Sequence, residues 1–142
     1  MKITDLRVGD YVKITEPDRY AGYIGEVISI GGENKYLTLF VTHHNTDVFV
    51  EDIRPIPITS KMLEKNGFRH NVVPEIGIDD YVLSDDYFDI TIEEWSDSIW
   101  SVRYENTEMN TPYEQSACCY VHQLQHFFRV CALDDFADNF KV

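Results

Sequence analysis

Lysine and arginine are scarce in this chain: 12 of them stand against 25 aspartates and glutamates in 142 residues, a formal charge of −13 at neutral pH. Binding a nucleic-acid backbone requires clustered cations that displace condensed counterions, and a surplus of carboxylates repels that backbone. Direct nucleic-acid binding is therefore disfavoured, and a basic protein is the electrostatically easier partner. Long apolar runs are missing as well. Nothing approaches the roughly 18 consecutive apolar residues of a bilayer span, and the start of the chain lacks the basic-then-apolar order of a secretory signal. Cysteine is confined to Cys118, Cys119 and Cys131, which is no disulfide framework for a secreted domain. These absences predict a cytoplasmic protein with reduced thiols and no membrane partner.

What the chain does have is apolar and aromatic surface: 44% hydrophobic residues and 13% aromatics, enough to offset chain entropy and exclude intrinsic disorder. A chain of this length buries one moderate core or two small ones, and one compact unit is the expectation. The charge is uneven. Residues 1–57 hold six basic and nine acidic side chains, whereas 58–142 hold six and sixteen.

The first 57 residues read as short strands. Val8-Gly9-Asp10 forms a turn that launches Tyr11-Val12-Lys13-Ile14, with Val12 and Ile14 on the core face. Residues 16–22 contain Pro17 and polar neighbours and read as an exposed loop. Alternation resumes at Tyr23 and runs to Ile30; both faces carry apolar groups, as in a bent strand, with Gly25 available for the bend or a close backbone approach. Gly31-Gly32-Glu33-Asn34 is a turn signal. Lys35–Thr42 is a third strand, His43–Thr46 a turn and Asp47–Val50 a fourth strand. Pro55 and Pro57 then mark a linker, and Thr59 to Gly67 has the hydroxyl cap and glycine stop of a short helix.

Gly9-Asp10-x-Val12 followed by Gly22-x-x-Gly25-x-Val27 resembles the opening of SH3-like barrels of the KOW type. The resemblance implies that residues 1–57 close into a small β-barrel, and that the 17–22 loop with Tyr11, Tyr20 and Tyr23 forms a contact surface. KOW domains touch RNA or ribosomal and transcriptional proteins; Arg19 here stands between Asp18 and Tyr20 with Glu16 nearby, which favours a protein. A second resemblance rests on Ile53-Arg54-Pro55-Ile56-Pro57-Ile58-Thr59, Gly67-Phe68 and Tyr120-Val121-His122-Gln123-Leu124-Gln125. It is similar to a family of short uncharacterised proteins of Bacteroidetes genomes and their phages. That similarity implies a phage or mobile-element setting and no particular activity.

Between Glu75 and Asp97 there are nine carboxylates and no lysine or arginine, interleaved with aromatic and β-branched residues. Phe88 to Glu93 alternates at period two, which predicts a strand with Phe88, Ile90 and Ile92 inward and Asp89, Thr91 and Glu93 outward. Ile99–Tyr104 is its expected antiparallel neighbour. A rigid display of carboxylates can imitate nucleic-acid phosphates and occupy a DNA-binding protein; a solvated strand face is the simpler reading. The adjacent pairs Asp79-Asp80, Asp85-Asp86 and Glu93-Glu94 point to opposite faces of a strand, unlike a converging acid and base.

From Ser116 to Leu133 the apolar residues Ala117, Val121, Leu124, Phe128 and Cys131 recur at helical spacing, predicting an amphipathic helix. Its other stripe carries Gln115, Cys118, His122, His126 and Arg129. Two neighbours among Cys118, His122 and His126 could ligate one zinc ion if another strand or loop supplied the missing groups, but three on one straight helix do not converge easily, and the His-x3-His pair lacks the internal glutamate of a zinc hydrolase. A Cys118 or Cys119 nucleophile beside His122 has helical proximity alone in its favour.

The expected protein is α+β: an SH3-like β-barrel over residues 1–57, then over 58–142 a short helix, a small antiparallel β-hairpin or sheet and an amphipathic C-terminal helix packed on the barrel. Its expected function is noncatalytic protein binding through Tyr11, Tyr20 and Tyr23 or through His122, Gln123 and His126. No catalytic residue, metal ligand or cofactor is predicted. The alternatives are an acidic nucleic-acid mimic and a metal- or thiol-dependent enzyme.

Overall fold

The computed structural model describes residues 2–16, 18–31, 36–108 and 112–142. The chain is α+β and divides into two compact units, Met1–Ile56 and Pro57–Val142, each built around its own five-stranded antiparallel sheet. No helix is long and apolar enough to cross a membrane among the described residues.

The first unit contains β1 (Tyr11–Ile14), β2 (Ile24–Gly31), β3 (Tyr36–Val41), β4 (His44–Phe49) and β5 (Ile53–Arg54), in the order β4-β3-β2-β1-β5. The two outermost strands, β4 and β5, are consecutive in the chain and joined by the single 3₁₀ turn Val50–Asp52. Three residues reach about 10 Å, less than the width of a flat five-stranded sheet, so the sheet has to curl. Its concave side holds Leu6, Val12, Ile14, Val27, Leu37, Leu39, Val41, Val48 and Ile53; Val12 and Ile14 face inward as their alternation predicts.

Gly25 is what lets β2 approach the core. A β-carbon there would lie 3.0 Å from Leu39 Cβ and 3.1 Å from Val41 Cγ2, closer than packed carbons tolerate. Past Val27 the register against β3 shifts by one residue at Ile28, a bulge that explains why both faces of this strand carry apolar side chains. The β3–β4 turn is shorter than the expected His43–Thr46: Thr42 takes a left-handed φ of 58°, His43 N–H donates to the Val41 carbonyl at 2.7 Å, and His44 already pairs with Val41. Pro17, Lys35 and most of the 31–34 turn lie outside the described residues.

The second unit opens with α1 (Ser60–Lys65). Thr59 caps it, accepting the Met62 N–H at 3.3 Å, and Gly67 ends it at φ +89°, with Phe68 N–H donating to Leu63 O; the hydroxyl and glycine signals act as expected. A meander follows: β6 (Arg69–Val73), β7 (Ile78–Ser84), β8 (Phe88–Ser96), β9 (Ile99–Asn106) and β10 (Pro112–Cys118). The hairpin read from sequence is its β8–β9 centre, with Ile90 and Ile92 buried and Asp89 and Glu93 exposed as expected. Of the expected hairpin or sheet it is the sheet that forms, because β6, β7 and β10 extend the β8–β9 pair to five strands.

Helix α2 (Val121–Val130) and the short α3 (Asp134–Asp138) complete the unit. The predicted start of the C-terminal helix at Ser116 is corrected: Gln115 pairs with Val102 and Cys118 with Trp100 across a bulge, so the ladder claims residues that helical periodicity alone assigned to the helix. Phe128 packs edge-on against Phe136 at 4.8 Å, and Phe136 lies 6.2 Å from Phe68. Gln125, fully buried, donates to the Ala137 carbonyl at 3.0 Å, tying α3 to α2.

Candidate functional site

The tyrosines expected to form one contact surface occupy different environments. Tyr11 projects from the outer face of β1, opposite Glu26. Tyr20 packs against the concave core, and its hydroxyl lies 3.0 Å from His44 Nε2. Tyr23 is 49% exposed while its carbonyl accepts the Ile14 N–H.

The polar residues of the C-terminal helix are largely occupied by structure. Gln123 Oε1 accepts the Cys119 N–H at 2.8 Å and the Tyr120 N–H at 3.1 Å, satisfying donors at the start of α2. His122 is buried, 3% exposed, stacked beside Tyr120 and edge-on to a half-buried His126. Cys118 sits on β10 rather than on the helix, so Cys118, His122 and His126 do not form the helical stripe that sequence spacing suggested. Burial, reinforced by neighbouring Cys119, pushes the Cys118 thiol up to about 12, and burial pushes Cys131 up to about 11; both stay protonated at neutral pH. Among the described residues no group of three His, Cys, Asp or Glu side chains is arranged to hold a metal ion.

The acidic stretch acquires its geometry from strand register. Neighbours on a strand alternate in face, so Asp79-Asp80 and Glu93-Glu94 are each split between the two sides of the sheet. On the outer side Asp80 comes directly opposite Glu93, and Asp89 opposite Glu105. Between these rows lies a third, in which Arg69 pairs with Val82, Thr91 with Arg103 and Arg103 with Glu114; Arg103 also reaches Glu105 at 3.3 Å. Like charges facing each other across a ladder destabilise it. Asn71 relieves part of this by donating to Asp80 at 3.0 Å.

On the other side, the partners of those acids converge on an open cleft of about 470 Å³. Asp79, Glu94 and Asp97 line it together with His70, Tyr81, Trp95, Ser60 and Ser96. His70 stacks flat on Tyr81 at 4.5 Å and bonds Asp79 Oδ1 at 2.6 Å. Glu94 Oε1 accepts the Ser98 N–H at 2.9 Å, in a turn where Ser98 takes φ 62°. Trp95 is 64% exposed, while Trp100, opposite Glu94, is 2% exposed. Single-sequence reading singled out the carboxylates but not the cleft, because His70 and Asp79 belong to strands whose polar residues hide the period-two signal; the run of nine acids without a cation was the available clue.

Comparison with protein-family models, with curated proteins and with solved structures returned no match for this chain.

Proposed function

We propose that this protein is a noncatalytic interaction module that binds a basic partner protein through the end of the second sheet where β7 and β8 carry Asp79, Asp80, Glu93 and Glu94. The observation that carries this reading is the register that sets Asp80 against Glu93. A sheet that keeps two carboxylates opposed gives up stability at that position, and a cationic partner recovers it on binding, so the cost has a functional explanation.

The mixed row on the outer face favours a protein partner over mimicry of nucleic acid. Arg69 and Arg103 interrupt the negative field in its middle, whereas a phosphate imitation calls for unbroken negative charge. The same reading takes the first unit as an SH3-like barrel that acts as a scaffold: the return of β5 to pair with β1 and the short β4–β5 link support closure. It takes the setting to be a phage or mobile element of Bacteroidetes type, and the compartment to be the cytoplasm, where three cysteines outside any disulfide stay reduced.

Titration with polylysine and polyglutamate at low and high salt tests the assignment. Binding of polylysine alone, weakening steeply with salt, is the expected result; equal behaviour of the two polymers contradicts it.

A further inference from the structure

Resting on that reading, we propose that the cleft beside β6 is a receptor for one arginine side chain of the partner, held between the Trp95 indole and the carboxylates of Asp79 and Glu94. The cleft's volume of about 470 Å³ lies in the range of small-ligand sites. Its most exposed large side chain is an indole, the best cation–π acceptor among the aromatics, and among the described residues no lysine or arginine lines it. Tyr81 does not compete for this role, since His70 covers a face of its ring.

The carboxylates are oriented before any ligand arrives. His70 holds Asp79 by Oδ1 and the Ser98 N–H holds Glu94 by Oε1, so each keeps its second oxygen for an incoming donor. Two acceptors on different strands suit the wide, five-donor fork of a guanidinium better than the compact head of a lysine. Behind this wall the Trp100 indole N–H is buried without a hydrogen-bond partner among the described residues; Trp100 pairs with Glu94 in the ladder and meets Tyr81 edge-on at 6.0 Å. Trp100 is not among the residues that line the cleft, and its N–H, a donor like the guanidinium itself, takes no part in holding the arginine.

The two tryptophans make the test direct. N-acetyl-arginine amide should change the emission of exposed Trp95 with a Kd on the order of millimolar, as befits so small a ligand. The lysine analogue should bind more weakly, and the citrulline analogue, uncharged and nearly isosteric, should have no effect. Trp95→Phe leaves Trp100 as a buried reference and should abolish the signal. Asp79→Asn with Glu94→Gln preserves both amide-compatible hydrogen bonds and should weaken arginine binding by about tenfold. Identical responses to arginine and citrulline, or an arginine response undiminished in the double carboxylate variant, would overturn the inference. In either case, polylysine binding by the wild-type protein would leave the acidic-surface reading standing, and its absence in the wild type would remove both.

Discussion

Asp80 and Glu93 face each other across the β7–β8 ladder, two carboxylates in a position that sheets fill more favourably with opposite charges or apolar groups. Their chain neighbours, Asp79 and Glu94, turn to the other side and line one cleft. One stretch of acidic sequence thus supplies two surfaces at the same end of one sheet.

Removing this opposition should stabilise the fold. Asp80→Asn combined with Glu93→Gln is expected to raise unfolding free energy by about 0.2–1 kcal/mol at low ionic strength, with the gain shrinking as salt screens the wild-type repulsion. Urea denaturation at two salt concentrations measures it.

Gly25 should tolerate no side chain. Alanine there meets Leu39 and Val41 at 3.0–3.1 Å, and overpacking of this kind costs about 1–3 kcal/mol. Gly22→Ala has open space around it but must hold φ +90°, a smaller penalty of about 1 kcal/mol. The order of the two midpoints in urea checks whether the concave core is as tight around Gly25 as these distances require.

Much of the first unit was legible because its signals are local: alternation placed Val12 and Ile14 inward, and Gly25 offered a bend or a close approach, of which the contacts with Leu39 and Val41 are the second. The β3–β4 turn was misplaced because Asn45 and Thr46 have turn chemistry, yet they pair with Phe40 and Leu39 in a six-residue strand. The C-terminal segment went wrong for a non-local reason. Ser116 to Cys118 fit a helical stripe, and only pairing with β9, about 15 residues earlier in the chain, makes them a strand. The cleft depends on register between three strands and a turn, information that no single segment carries.

Gln123 should behave as a cap. Gln123→Ala removes the acceptor of two backbone donors and is expected to cost about 0.5–2 kcal/mol, while Gln123→Glu, which keeps an acceptor at the helix N-terminus, should restore most of it. Polylysine affinity should be unchanged by the alanine variant, separating this residue from the binding surface. Thermal denaturation and the polylysine titration together check it.

Alkaline pH should destabilise the protein through Cys118. The folded thiol holds its proton to about 12, against an ordinary value of 9.0, so between these pH values the unfolded chain releases a proton that the folded chain keeps. Stability is complete below pH 9 and falls as pH rises towards 12, by at most about 1.4 kcal/mol per pH unit from this group. Cys118→Ala should reduce the slope between those limits, leaving the smaller contribution of Cys131, which burial pushes up to about 11, whatever it does to stability at neutral pH. Urea denaturation over that pH range supplies the comparison.

In the proposed function the acidic end of the second sheet exchanges stability for attraction to a basic partner. Measuring polylysine affinity and urea stability on the same Asp80→Asn, Glu93→Gln protein tests it most directly. Opposite movements are expected, with a more stable fold and an affinity reduced about three- to tenfold at low salt. A variant that gains stability but binds polylysine as tightly as the wild type would contradict it.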